Sequence, residues 1–341
     1  MYPFDIIPEF DKVEVLEEIG DLWLQFRKAS ILLLGGTGFI GTWITNCLQE
    51  ANKVYDLDLN LILITRSSVD AVKKNPNVMN KNVQLIELDL MKNTHFSLDL
   101  EFNFFIHGAT DSTFSNVTSK SSPQSSIRGA HLILNSVNSS VLTRGIHLSS
   151  GAVFPRQMNS SVGQIESEIH EKLDRLSEYG KAKYETENLF RSNSDSEWFQ
   201  VSNPRLFTFF GPGIPLDKHF AVGNFLRNAM NKEPIILNGN PNTIRSYMYP
   251  TDLIVWIIKL LLNPSSSTLN FGSDIPITMA DLATKINDVT GNKGIQFRGN
   301  NEPTSIYYPS IIKARQHLSV KQSVVFEEGI ERWVNWLNKP S

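Results

Sequence analysis

Between residues 30 and 210 the chain alternates between two patterns of apolar and polar positions. Strand-like segments recur, the first a short apolar run closed by glycines: SILLLGG (30–36), LNLILIT (59–65), KNVQLIELDL (81–90), NFFIHGAT (103–110), GIHLSSGAVF (145–154) and WFQVSNPRLFTFFG (198–211). Runs of this length that do not alternate with polar residues read as strands buried on both faces. Between them lie stretches whose apolar residues fall three and four apart, the spacing of a helix face. These are FIGTWITNCLQEAN, the serine-capped SSVDAVKKN, SSPQSSIRGAHLILNSVNSSV and a helix over 170–193. Strand and helix in strict alternation predict an α/β fold, a doubly wound parallel sheet with helices on both faces.

Flanking segments depart from this rhythm. Residues 1–28 form an N-terminal extension that ends in an amphipathic helix, VEVLEEIGDLWLQFRKA. After residue 210 proline and glycine become frequent, in GPGIPLDK and LNGNPNTIRS. The expected division is a main domain over 29–210 and a smaller C-terminal lobe over 211–245 and 273–341. The stretch 246–272, with TDLIVWIIKLLLN, returns to the main sheet as a helix. In the last helix, FEEGIERWVNWLN, residues Phe326, Ile330, Trp333 and Leu337 share one face and belong to the core.

Composition narrows the function classes. With 341 residues, 41% hydrophobic and 20% charged, the chain can bury a sizeable core. A formal net charge of -3 leaves no basic field, which argues against a nucleic-acid partner. No stretch approaches the roughly 20 apolar residues of a membrane span. The acidic N-terminus does not read as a signal peptide. Cys47, the one cysteine, falls in a predicted helix and reads as a buried thiol of a reducing, cytoplasmic compartment.

The chemistry gathers at strand ends. The first strand runs into GGTGFIG, with Gly35, Gly38 and Gly41 at a spacing of three and three. At a strand-to-helix turn, glycines let the backbone approach a pyrophosphate, and the helix N-terminus supplies N–H groups. Thr37, Phe39 and Ile40 complete this cofactor loop. After the second strand come Thr65 and Arg66, where an acid that takes the ribose hydroxyls of NAD is expected. An arginine there suits the extra phosphate of NADP, so NADP is the expected cofactor, with NAD as the alternative. Asp89 and Leu90 close the third strand, where they meet the adenine, although an aspartate there also simply forms a turn. Gly108, Ala109 and Thr110 end the fourth strand with small residues beside the cofactor, and His107 reads as a packed histidine. Ser149 and Ser150 end the fifth strand, the edge where doubly wound sheets bind ligands. Tyr179 and Lys183, in SEYGKAKYE, lie one helical turn apart and share a face. A serine holding the substrate oxygen, a tyrosine passing its proton and a lysine lowering the tyrosine pKa make a carbinol–carbonyl redox site.

Together GGTGFIG, ELDL, HGAT, LSSGAVF, YGKAK, PRLFTFFGPG and RSYMYPTDL resemble the extended short-chain dehydrogenase/reductases. More narrowly, residues 29–290 resemble the nucleotide-sugar epimerase/dehydratase family. The resemblance implies a Rossmann-like NAD(P)-binding domain over 29–210, a substrate-binding lobe, a nucleoside diphosphate sugar substrate and a homodimer. It makes Ser150 the catalytic hydroxyl alongside Tyr179 and Lys183, with Ser149 and Ser150 at the substrate. Arg245 takes the position that grips the nucleotide diphosphate. Asp252 reads as a structural cap of the following helix. Thr208 departs from the asparagine that relatives often carry. So do Gly151 and Ala152, which stand where dehydrating relatives carry carboxylates. The resulting expectation is a nucleotide-sugar epimerase or 4-ketoreductase, of the kind that serves surface-polysaccharide synthesis. The alternatives are a 4,6-dehydratase drawing on Glu166, Glu168 or His170, and a non-catalytic cofactor-binding sensor.

Overall fold

A computed structural model describes residues 6–92, 97–110, 124–154, 157–158, 174, 176–194, 196–217, 220–292, 294–299 and 304–339. Its centre is a six-stranded parallel sheet. The strands are β1 (Ser30–Leu34), β2 (Asn60–Thr65), β3 (Val83–Glu87), β4 (Phe104–His107), β5 (Thr143–His147) and β6 (Phe199–Ser202). They lie in the order β3-β2-β1-β4-β5-β6, so successive strands are added in the opposite direction after β1, with β4 placed beside it. That reversal is the switch point at which Rossmann-type sheets open a ligand crevice. Leu32, Leu33, Leu34 and Phe105 are fully enclosed, which explains why these strands show no polar alternation.

The connecting helices are α2 (Phe39–Val54), α3 (Ser68–Lys74), α4 (Gln124–Leu134) and α5 (Glu178–Asn193). The serine cap expected for the second of these is Ser67, whose hydroxyl accepts from the N–H of Asp70. The helix expected over 170–193 is described from Glu178, and most of its expected first turns lie outside the described residues.

Two long expected strands are shorter than the apolar pattern suggested. The run 198–211 stops pairing in the main sheet after Ser202, at Asn203 and Pro204. Proline has no N–H for a sheet ladder. Arg205–Leu206 then joins a second, small sheet with Ser149–Ser150 and Asn270–Phe271. The run 145–154 divides in the same way, with β5 in the main sheet and Ser149–Ser150 in the small one, followed by a tight turn over Gly151–Val153. This change of sheet carries the serines beyond the edge of the main sheet and towards the C-terminal lobe.

α1 (Glu9–Ile19) starts before the expected amphipathic segment and passes into a short 3-10 turn, Gly20–Phe26, that buries Trp23 and Phe26. It packs on α7 (Pro250–Leu262), a helix buried along nearly its whole length that also covers β5. The remaining helices are α6 (Ala221–Met230), α8 (Met279–Thr290), α9 (Ile312–Leu318) and α10 (Phe326–Leu337). Asp11 accepts hydrogen bonds from the Tyr249 hydroxyl at 2.7 Å and from Arg332 at 2.8 Å, tying α1 to α7 and α10. Burial pushes the Asp11 carboxyl up to about 6. Asp252 is structural, but it does not cap α7. Its oxygens accept the N–H groups of Ser323 at 2.9 Å and Val324 at 3.1 Å and hold the segment leading into α10. Cys47 is buried, and burial pushes its thiol pKa up, so it is no thiolate nucleophile at neutral pH. No described helix is long and apolar enough to cross a membrane.

Candidate active site

The glycine turn after β1 is built for close approach. Gly35 has φ +89, a backbone conformation that favours glycine. A Cβ on Gly41 would stand 2.2 Å from the Gly35 carbonyl oxygen, so α2 can start against the turn only without one. Gly38, at the N-cap of α2, provides no side chain to satisfy the first helical N–H groups. Beside the turn, β4 ends in Gly108, Ala109 and Thr110. A Cβ on Gly35 would meet the Gly108 carbonyl carbon at 2.7 Å. The buried Thr110 hydroxyl finds no partner among the described residues. A glycine cradle, an uncapped helix N-terminus and an orphaned hydroxyl together fit a dinucleotide.

The cofactor candidates on β2 and β3 are also near this edge. Arg66 is exposed just after β2. The sequence places no acid at that strand end, but the sheet register sets Glu87 of β3 opposite Thr65. One Glu87 oxygen accepts the N–H of Ser68 at 3.0 Å. Asp89 serves its own turn, accepting from the N–H of Met91 at 2.9 Å, and Arg128 donates to the carbonyls of Leu90 and Met91.

Ser150, Tyr179 and Lys183 come together. Ser177 caps α5 by accepting the N–H of Gly180 at 3.1 Å, so Tyr179 sits in the helix's first turn. A Cβ on Gly180 would lie 2.3 Å from the Ala152 carbonyl oxygen. The bare glycine therefore lets this turn press against the segment after Ser150. Burial raises the Tyr179 pKa. Lys183 is buried, donates to the Leu148 carbonyl at 2.8 Å, and lies 6.0 Å from the centre of the Tyr179 ring. Burial lowers its pKa to about 7, against a smaller opposing effect of Glu187. Leu148 also packs on Gly108, so the lysine adjoins the strand edge that carries the cofactor candidates.

Ser149 is placed differently. As its neighbour along a strand, it points to the opposite face from Ser150. Its hydroxyl donates to the buried Glu187 at 2.5 Å. The same carboxylate accepts two bonds from buried Arg205, at 2.9 and 2.8 Å. His107 is packed as expected, its Nε2 2.7 Å from the Ser126 carbonyl, and burial holds its pKa down to about 3.

Arg245 lies on a short strand, Ile244–Arg245, paired with Ser305–Tyr307. Its guanidinium donates to the Ser305 carbonyl at 3.1 Å and to the Ser305 hydroxyl at 2.9 Å. That pairing brings in a residue the sequence did not single out. The Tyr307 ring packs on Phe207 at 4.8 Å, and a Cβ on Gly151 would lie 2.5 Å from its hydroxyl oxygen. Nothing local in SIYYPS marks this tyrosine, because only the pairing of distant strands brings it beside Gly151. Glu166, Glu168 and His170 lie outside the described residues. No cluster of His, Cys, Asp and Glu able to hold a metal occurs among the described residues.

Residues 31–272 match the model of the NAD dependent epimerase/dehydratase family. The chain belongs to this family. Among curated relatives, UDP-glucuronic acid decarboxylase 1 of Xenopus tropicalis is 22% identical over 92% of the chain and 73% of its own length. UDP-glucuronic acid decarboxylase 1 of Arabidopsis thaliana is 27% identical over 159 residues, which is 46% of the chain and 37% of the plant protein. The chain thus matches little more than a third of that relative's length. Among solved structures, a point mutant of UDP-glucuronic acid 4-epimerase from Bacillus cereus, in complex with a fluorinated UDP-sugar and NAD, superposes with a TM-score of 0.74 at 19% identity, covering 90% of this chain and 98% of the other. At that identity the likeness shows the shared fold.

Proposed function

We propose that the protein is a nicotinamide-dependent nucleotide-sugar epimerase or 4-ketoreductase, acting at a carbinol or carbonyl carbon of the sugar. The observation that carries this reading is the convergence of Ser150, Tyr179 and Lys183 beside the glycine turn of β1. A nicotinamide dinucleotide held by the glycine turn of β1 would supply a reversible hydride acceptor for the carbinol carbon. Ser150 holds the reacting oxygen, and Tyr179 takes or gives its proton. In its charged form Lys183 favours the Tyr179 phenolate. Arg245 and the lobe formed by 211–245 and 273–341 hold the nucleoside diphosphate. The preferred cofactor is NADP, on the strength of Arg66. NAD is the alternative, since solved relatives such as the Bacillus cereus epimerase bind it.

UDP-sugars are the first substrates to test, because those relatives act on them. A second reading is favoured by the names of the decarboxylase relatives. Oxidation at carbon 4 of a hexuronic acid would place the carboxylate β to a ketone; loss of carbon dioxide would leave an enolate that takes a proton at carbon 5 before a hydride returns to carbon 4. Dehydration, by contrast, needs the extra groups that Gly151 and Ala152 cannot supply.

Thermal shifts with a panel of UDP-sugars in the presence of NAD or NADP, followed by NMR of the products, test the proposal. A ligand at 100 times its Kd stabilises by about 2.7 kcal/mol, a readily measured rise in Tm. Inversion or reduction at carbon 4 supports the leading reading, and a pentose product supports the second. No shift and no conversion with any sugar contradict both.

A further inference from the structure

Ser149 and Ser150 carry the same hydroxyl on adjacent residues, and only one of them can face the reaction. Side chains alternate along a strand, so the two point to opposite sides. A slip of one residue would exchange them. Since their chemistry is identical, the choice between them is made by what surrounds each one.

Ser149 is taken up by a closed, charged cluster. Glu187 is fully buried. Its Oε1 accepts from the Ser149 hydroxyl at 2.5 Å and from Arg205 Nε at 2.9 Å, and its Oε2 accepts from Arg205 Nη2 at 2.8 Å. Ser149 and Arg205 are register partners on neighbouring strands of the small sheet, and both reach this one carboxylate on α5. A hydroxyl has a single hydrogen. Ser149 gives its hydrogen to Glu187, in a bond of the stronger, charge-assisted class, and has none left to donate to a sugar.

Helix α5 grips the strand end turn by turn. Tyr179, Lys183 and Glu187 follow one another at intervals of one helical turn and share a face. Lys183 donates to the Leu148 carbonyl at 2.8 Å, and Glu187 holds the next residue, Ser149. Gly180 presses on Ala152, where a Cβ would stand 2.3 Å from the carbonyl oxygen. Residues on both sides of Ser150 are thus seated on α5, and Ser150 is the hydroxyl left for the site. The N–H of Ala152 donates to Ser150 Oγ at 3.1 Å, so this amide reports where that oxygen stands.

We propose that Ser149 and Glu187 are positioning residues: the bond between them locks the strand end on α5 in the register that presents Ser150, and not Ser149, to the reacting oxygen. The proposal rests on the functional reading above for the part that Ser150 plays. It makes Ser149 a residue that acts through Ser150 and does not itself hold the sugar.

The experiment compares full-length wild type, Ser149→Ala and Ser149→Thr. Alanine removes the hydroxyl and leaves the Glu187–Arg205 pair whole, whereas threonine keeps the hydroxyl. Hydrogen exchange followed by NMR reads the Ala152 amide against the amides of β1, which report opening of the main sheet. In Ser149→Ala the Ala152 amide should exchange about 10-fold faster, the scale of one hydrogen bond, while the β1 amides stay protected. Ser149→Thr should restore the wild-type rate. With a converted sugar in hand, kcat of Ser149→Ala should fall about 10-fold at unchanged KM. An Ala152 amide as protected in Ser149→Ala as in wild type overturns the proposal. Loss of β1 protection along with that of Ala152 also overturns it, as a general loss of stability. A raised KM with kcat kept overturns it too, because Ser149 then binds the sugar directly. A protein that converts no sugar yet shows the local change at Ala152 would contradict the functional reading and leave the register lock standing.

Discussion

Lys183 reaches past the ring of Tyr179: its Nζ lies 6.0 Å from the ring centre and donates to the Leu148 carbonyl. Burial lowers its pKa from 10.5 in the free side chain to about 7. Between those values the unfolded chain holds a proton that the folded one lacks, so this residue makes stability rise with pH across that window. Lys183→Met should abolish the rise. Denaturant titrations from pH 7 to 10 should show wild type gaining on the variant by up to about 1.4 kcal/mol per pH unit. Parallel curves would contradict the buried, largely neutral lysine.

The Glu187–Arg205 pair is buried and also receives the Ser149 hydroxyl. Glu187→Gln leaves a buried guanidinium without its counter-charge. We expect a loss of about 3–5 kcal/mol in unfolding free energy, typical of a broken buried pair. Asp274→Asn, which breaks the exposed pair with Arg315, should cost about 0–1 kcal/mol. Equal costs for the two variants would show that the buried cluster is not structural.

Arg66 should contact the 2′-phosphate of NADP, a charged hydrogen bond worth roughly 1.5–3 kcal/mol. NADP(H) should bind more tightly than NAD(H), and Arg66→Ala should narrow the difference. Calorimetric titration of both cofactors measures it. Glu87, across the register from Thr65, is the group that would turn the preference towards NAD.

The space after Ser150 bears on dehydration. Formation of a 4-keto-6-deoxy sugar needs a base for the carbon-5 proton and an acid for the carbon-6 hydroxyl. Gly151 and Ala152 offer neither, and burial keeps the nearby Tyr307 phenol protonated. Incubation with UDP-glucose in heavy water should give no carbon-6 methyl and no deuterium at carbon 5 by NMR. Either signal would show that another group, such as Glu166 or His170, enters the site.

The sheet was legible in the sequence because its central strands, such as β1 and β4, are buried on both faces and read as apolar runs. The glycine turn and the Tyr179/Lys183 pair were legible because their geometry is local, fixed by one turn or one helical repeat. Strand lengths were not. The apolar pattern continues through Asn203 and Pro204, while the pairing moves to a second sheet. The partners of Ser149 and Ser150 were hidden for a related reason. Two adjacent serines look equivalent until Glu187 and Arg205 claim Ser149, while Tyr307 packs against Gly151 beside the other, and those contacts join residues far apart in the chain.

The proposed activity requires hydride removal at a sugar carbon with Tyr179 as the proton-transfer group. UDP-sugars carrying deuterium at carbon 4, UDP-glucuronic acid and UDP-glucose among them, test this directly. The protein is incubated with oxidised cofactor and each sugar, the cofactor is released by denaturation, and the nicotinamide is analysed by mass spectrometry. Deuterium should reach the nicotinamide from at least one of these sugars. Tyr179→Phe should bind the cofactor as before and transfer the label about 10²–10⁴ times more slowly. Cofactor that stays unlabelled with every sugar, or a Tyr179→Phe variant that transfers deuterium as fast as wild type, would contradict it.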